Sequence, residues 1–137
     1  MSAENVEMVC RMFDAFINRG DLRASAELLD ESVVFDARGM EWENEDFLRV
    51  YFGLEGVRDF WRAWLPAWRD MRVDVQWIRG VGDRVLVWVH QQQIGRVSGL
   101  PVDFFLAWDI LFRDHKIVRV AFFRNEHEAL AAVGLSE

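Results

Sequence analysis

Val102-Asp103-Phe104-Phe105-Leu106-Ala107-Trp108-Asp109-Ile110-Leu111-Phe112-Arg113 is a long alternating run and the key to the chain's architecture. Its period is two: Phe104, Leu106, Trp108, Ile110 and Phe112 fall on one side of an extended chain, and Phe105, Ala107, Asp109, Leu111 and Arg113 on the other. The runs 71–79, 83–94 and 116–124 keep that period, and Val81-Gly82-Asp83, Ser98-Gly99-Leu100-Pro101 and Asp114-His115 separate them with turn chemistry. Four antiparallel strands in a meander follow. The Asp114-His115 turn lacks the glycine favoured where φ must be positive. Both faces of strand 102–113 are largely apolar. One face can lie under helices of the same chain, and the other needs a second cover, most simply another copy, so a homodimer through the open sheet face is expected.

Upstream the period changes. Val6, Val9, Phe13, Phe16 and Ile17 recur at helical spacing behind Ser2, with a stop at Asn18-Arg19-Gly20. Asp21 can cap a shorter second helix whose apolar stripe is Leu22, Ala26 and Leu29. Val33 to Ala37 reads as a strand, and Arg38 to Phe52 as an irregular covering segment. Val57, Phe60, Trp61, Trp64 and Trp68 predict a third helix that Pro66 kinks or ends. Asn125 with Glu128 opens a final helix and Gly134 closes it. Neither repeats nor linkers interrupt the chain, so residues 1–137 form a single domain of α+β class.

Seven Trp and eleven Phe exceed what a minimal core of this size requires, so part of that bulk is expected to line a cavity or a subunit contact. A net charge of -7 opposes non-specific binding to nucleic acid or to anionic membrane surfaces, and neither is an expected partner. Cys10 is the only cysteine. An intrachain disulfide or a cysteine metal cluster is therefore impossible, which fits a reducing, cytoplasmic setting. No apolar run approaches the roughly 20 residues needed to span a bilayer. No histidine pair has ligand spacing, and there is no glycine-rich phosphate loop, Ser-His-Asp order or Cys-His pairing; no metal and no cofactor are expected.

The order helix, helix, strand, helix and four-strand meander is similar to the nuclear transport factor 2-like fold. Local phrases sharpen the likeness: Phe16-Ile17-Asn18-Arg19-Gly20-Asp21, Leu29-Asp30-Glu31-Ser32-Val33-Val34-Phe35-Asp36, Tyr51-Phe52-Gly53-Leu54-Glu55-Gly56-Val57, Lys116-Ile117-Val118-Arg119-Val120 and Glu128-Ala129-Leu130-Ala131-Ala132-Val133-Gly134-Leu135. These resemble the SnoaL-like family, which includes polyketide cyclases. The resemblance implies a cone-shaped curved antiparallel sheet wrapped by N-terminal helices, with an apolar interior whose few polar groups carry any chemistry. The superfamily hosts isomerases, cyclases, epoxide hydrolases, dehydratases and binders, so architecture alone does not select among them.

The resemblance puts Asp36 where ketosteroid isomerases carry their general base. Surrounding aromatics would raise its pKa and make it a proton acceptor; the alternative is a strand-end carboxylate bonded to a local N–H. Phe13 stands where those isomerases have a tyrosine donor and Trp108 where they have a protonated aspartate, so the oxyanion-stabilising pair is missing and ketosteroid isomerisation is disfavoured. An epoxide-hydrolase arrangement would draw on Asp36, Asp109 and Arg124. If Trp108 points into the cone, however, strand alternation sends Asp109 out. Arg124 shares parity with Val118, Val120 and Phe122, as a cation at the cavity mouth or as a surface ion pair. His90 is an acid, base or ligand contact if it faces inward, or a sheet-face histidine at a dimer contact; parity leaves His90 and Gln91 undecided. Trp42, Tyr51 and Trp64 are aromatic cover or wall, or else plain core.

The expected function is a pocket that binds a small hydrophobic molecule, with Asp36 as proton acceptor. Two other readings stay open: a cofactor-free isomerase, cyclase or epoxide hydrolase-like enzyme on a polycyclic or terpenoid-like substrate, and a non-catalytic dimeric adaptor using its sheet face.

Overall fold

The computed structural model describes residues 2–15, 26–40 and 48–135. Helix α1 spans Ser2–Phe13, strand β1 Leu29–Asp36, strand β2 Val50–Phe52 and helix α2 Gly53–Trp64. Strands β3 (Trp68–Val81), β4 (Arg84–Gly95), β5 (Pro101–Arg113) and β6 (Lys116–Phe123) follow, and helix α3 (Glu126–Ala132) ends the described chain. The six strands form one sheet in the order β2-β1-β6-β5-β4-β3. All neighbours run antiparallel except β1 with β6, which are parallel. The expected antiparallel meander is β3 to β6, and β1 joins its β6 edge in parallel.

The meander lies where its period places it. The Asp114-His115 turn works without glycine: both residues take positive φ, 52° and 64°, the twisted geometry a two-residue hairpin requires and Asp tolerates better than most. In β3 the register slips between Arg69 and Arg72 and again between Val75 and Trp77, with Asp70 at φ 52°. Such bulges bend a strand and curl the sheet round its helices.

Two expectations from the first half of the chain need correction. Leu29 is not the end of a helical stripe; it opens β1 opposite Ile117, whose N–H donates to the Leu28 carbonyl at 2.8 Å. The pairing with β6 outweighs local helical spacing there. The segment read as irregular also contains a 3-10 turn at Ala37–Met40 and strand β2, and α2 begins at Gly53 (φ 73°). Pro66 ends α2 as expected, within a 3-10 turn over Leu65–Ala67. The Asn18-Arg19-Gly20 stop, the Asp21 cap and Trp42 lie outside the described residues.

Helices α1 and α2 cover one face of the sheet. Val85, Val87 and Val89 of β4, Phe104, Leu106, Trp108, Ile110 and Phe112 of β5, and Val120 and Phe122 of β6 meet Val9, Phe13, Val57, Phe60 and Trp64 in the main core. On the opposite face α3 packs Ala129 and Leu130 over Leu86 and Ala107, with Trp77, Trp88 and Phe123 around them. Asn125 caps α3 by accepting from the Glu128 N–H at 3.0 Å, and Trp77 Nε1 donates to Glu126 at 2.6 Å. Part of the cover expected from a second copy therefore comes from the chain itself. Phe105 (43% exposed) lies beyond it.

Candidate functional site

A cavity of about 720 Å³ opens between the helices and the inner sheet face. Met12, Leu29, Phe35, Leu54, Val57, Trp61, Leu65, Trp108 and Val120 are among its walls, and Arg58 and Arg62 also border it. Each element contributes through its period. Phe35 on β1 and Val120 on β6 are paired neighbours, so the alternation that buries one brings the other to the same wall. On α2, Leu54, Arg58, Trp61 and Leu65 follow the four-three-four spacing of one helix face. No carboxylate or imidazole stands among the described lining residues.

Trp108 is the most buried polar-bearing side chain among the described lining residues. It is 5% exposed and lines the cavity, and its indole N–H has no hydrogen-bond partner among the described residues. Phe13 meets it edge-on at 5.1 Å and Phe122 at 4.8 Å, so the ring is held on two sides by aromatic packing. A buried, unmet donor costs about 1–3 kcal/mol, which a ligand oxygen could recover.

Asp36 is elsewhere. Phe35 faces the cavity, and alternation sends Asp36 to the other side of β1, into a second depression shared with Arg38, Gly39, Arg119, Ala121 and Arg124. Arg38 donates to its carboxylate from Nε at 2.9 Å and from its other guanidinium arm at 2.8 Å, and the Arg38 backbone N–H adds a third bond at 3.1 Å. Arg119 stands at 3.5 Å. The Arg38 side-chain bonds, opposed by burial, hold the Asp36 carboxyl below its ordinary value, so the expected elevation is reversed. Gly39 lets this corner close: a Cβ there would meet the Phe122 carbonyl oxygen at 1.7 Å.

The remaining candidates separate in the same way. Asp109 points away from the cavity as alternation requires; it is 2% exposed and ion-paired with Arg84. Arg124 donates to the carbonyls of Phe105 and Met40, each at 3.2 Å, and its guanidinium lies 5.0 Å over the Phe104 ring. Asp36, Asp109 and Arg124 are committed to different partners and do not form an Asp-Arg-Asp arrangement. His90 lies on the outer face, stacked on Phe105 at 4.6 Å and bonded to Asp103; Gln91 is the inward residue, donating to Gln93 at 2.7 Å. Phe13, Tyr51, Trp64 and Phe122 are core rather than wall. Burial pushes the Tyr51 hydroxyl's pKa up, and Trp64 stacks on Phe60 at 6.0 Å. Of the described site residues expected from sequence, Trp108 alone lines the cavity. The missed lining residues on α2 carried a legible signal, the Leu54-Arg58-Trp61-Leu65 spacing, but arginine on a helix reads by default as solvated.

Residues 9–120 match the SnoaL-like domain. The chain belongs to the SnoaL-like family. No curated protein matches it significantly. Among solved structures, a nuclear transport factor 2-like protein of unknown function from Burkholderia pseudomallei superposes with a TM-score of 0.78 at 19% identity, covering 95% of this chain and 97% of that one. A candidate SnoaL-like polyketide cyclase from Jannaschia reaches 0.74 at 18% identity, covering 99% and 95%. TerC, co-crystallised with polyporic acid, reaches 0.73 at 17% identity, covering 94% and 97%. At such identities the likeness concerns the fold. No helix of the described residues is long and apolar enough to cross a membrane, and no group of three or more His, Cys, Asp or Glu among them could hold a metal.

Proposed function

We propose that this SnoaL-like protein binds a small, hydrophobic, oxygen-bearing molecule in the cavity beneath α2, with the Trp108 indole N–H donating to the ligand's oxygen. The observation that carries the reading is an N–H without a partner among the described residues, on a 5%-exposed residue in the wall of a largely apolar cavity of about 720 Å³. Holding favours binding over proton transfer, since the described walls present no base and Asp36 is ion-paired elsewhere. Two neighbours are consistent with an aromatic guest, TerC by its crystallisation with polyporic acid and the Jannaschia protein by its description as a cyclase. A reducing cytoplasm is the proposed setting, where the exposed thiol of Cys10 would persist.

The test compares 9-fluorenone with fluorene, which share a flat apolar skeleton and differ by a ketone oxygen. Calorimetric titration should find fluorenone bound roughly fivefold to tenfold tighter, the equivalent of one net hydrogen bond. Trp108→Phe should abolish that preference, and Val57→Trp, which fills the cavity, should weaken both compounds. Equal affinity of wild type and Trp108→Phe for the ketone would refute the assignment.

A further inference from the structure

Several of the described arginines are held by buried acids or by backbone carbonyls. Arg38 and Arg119 are taken up by Asp36, Arg84 by Asp109, and Arg124 by two backbone carbonyls. Arg58 and Arg62 are different. They stand four residues apart on one face of α2, both line the large cavity and both are exposed, which puts their guanidinium groups at its rim. Arg58 has no ion pair or hydrogen bond among the described residues. Arg62 reaches only Asp59, at 3.6 Å across exposed surface, a pair weak enough to yield to a competing anion. Leucine or lysine would serve the border of an apolar cavity as well, yet two planar, always-charged forks stand there. They border a cavity whose described walls contain no acid.

We infer that the cavity's ligand is an amphipathic acid: an apolar body held inside and a carboxylate, or an equally acidic enol, held at the rim by Arg58 and Arg62. The inference rests on the cavity reading above but on different residues, since Trp108 recognises an interior oxygen and the arginine pair a surface anion. A planar fork matches a two-oxygen anion bidentately, and the apolar floor raises the strength of such bonds over those in open water. Entry is favoured as well, because a locally positive rim on a chain of net charge -7 draws an anion to this mouth in preference to the rest of the surface.

The experiment uses 9-fluorenone-2-carboxylate against neutral 9-fluorenone, titrated into the wild type, Arg58→Gln/Arg62→Gln and Arg58→Lys/Arg62→Lys. In wild type the carboxylate should bind about tenfold tighter than the ketone alone at low salt, with the ratio shrinking as ionic strength rises. The glutamine pair should bring the ratio to about one. The lysine pair should retain part of the preference, because charge persists while the bidentate fork is lost. Both arginines are exposed, so neither double variant threatens the fold. If wild type binds fluorenone but gains nothing from the carboxylate, or if the gain survives in the glutamine pair, the acid assignment is overturned and the cavity reading stands. If wild type binds neither compound, both fall.

Discussion

Removing the Arg84 guanidinium should expose how this sheet tolerates an acid beneath its C-terminal helix. Asp109 sits on β5 at 2% exposure, and Arg84, diagonal to it on β4, supplies two bonds to it and a third to the Ala132 carbonyl at 3.2 Å. Arg84→Met keeps the stem and deletes the charge. The carboxylate is then left desolvated against Leu86, Ala107 and the underside of α3, and breaking a buried pair from one side costs about 3–5 kcal/mol. Domains of this size have a total stability of about 5–15 kcal/mol, so the variant should melt far below wild type while remaining foldable. Asp109→Leu in the same background should recover most of the loss, since replacing both partners by apolar groups is often neutral. Urea denaturation of wild type, both single variants and the double variant gives the coupling energy directly. Arg84→Met within 1 kcal/mol of wild type, or no recovery in the double variant, would refute the view that Asp109 is a paired structural acid and reopen its candidacy as a reacting group.

Asp36→Asn should destabilise the protein at neutral pH with ligand affinity unchanged. Because the folded carboxyl titrates below its unfolded value of about 3.9, its contribution is present above that value and is lost as pH falls through the folded pKa, so wild-type and variant stabilities should converge in acid, as denaturation at pH 7 and pH 3 would show. Asymmetry of the outer face sets another expectation: Phe105, stacked between Trp88 and His90 and half-exposed, is where a second copy would sit. Light scattering should return a dimer for wild type and a shift toward the 16.1 kDa monomer for Phe105→Glu; a wild-type monomer at micromolar concentration would remove the homodimer.

The meander, its turns and the inward set of β5 were legible in the sequence because each is fixed by a local rule: alternation for strands, sterics for turns, a side-chain cap for α3. Trp108 inward and Asp109 outward followed from parity once one face was known. Parity could not choose which face of β4 was inner, since Val85, Val87 and Val89 compete with Leu86 and Trp88, and only the packing of α1 and α2 against the valines sends Gln91 in and His90 out. The fate of Asp36 was equally hidden. Phe35 precedes it, and a desolvated base was a fair expectation, but alternation on β1 turns it away from Phe35, and the 3-10 turn at Ala37–Met40 brings Arg38 back onto it while β6 delivers Arg119. The meander strands and helices α1, α2 and α3 were readable from the chain because they depend on short-range periodicity, and the family resemblance was carried by local phrases. Which acids are paired and which arginines are left at the cavity mouth was decided by tertiary structure, because electrostatic environment is set by residues far apart in the chain.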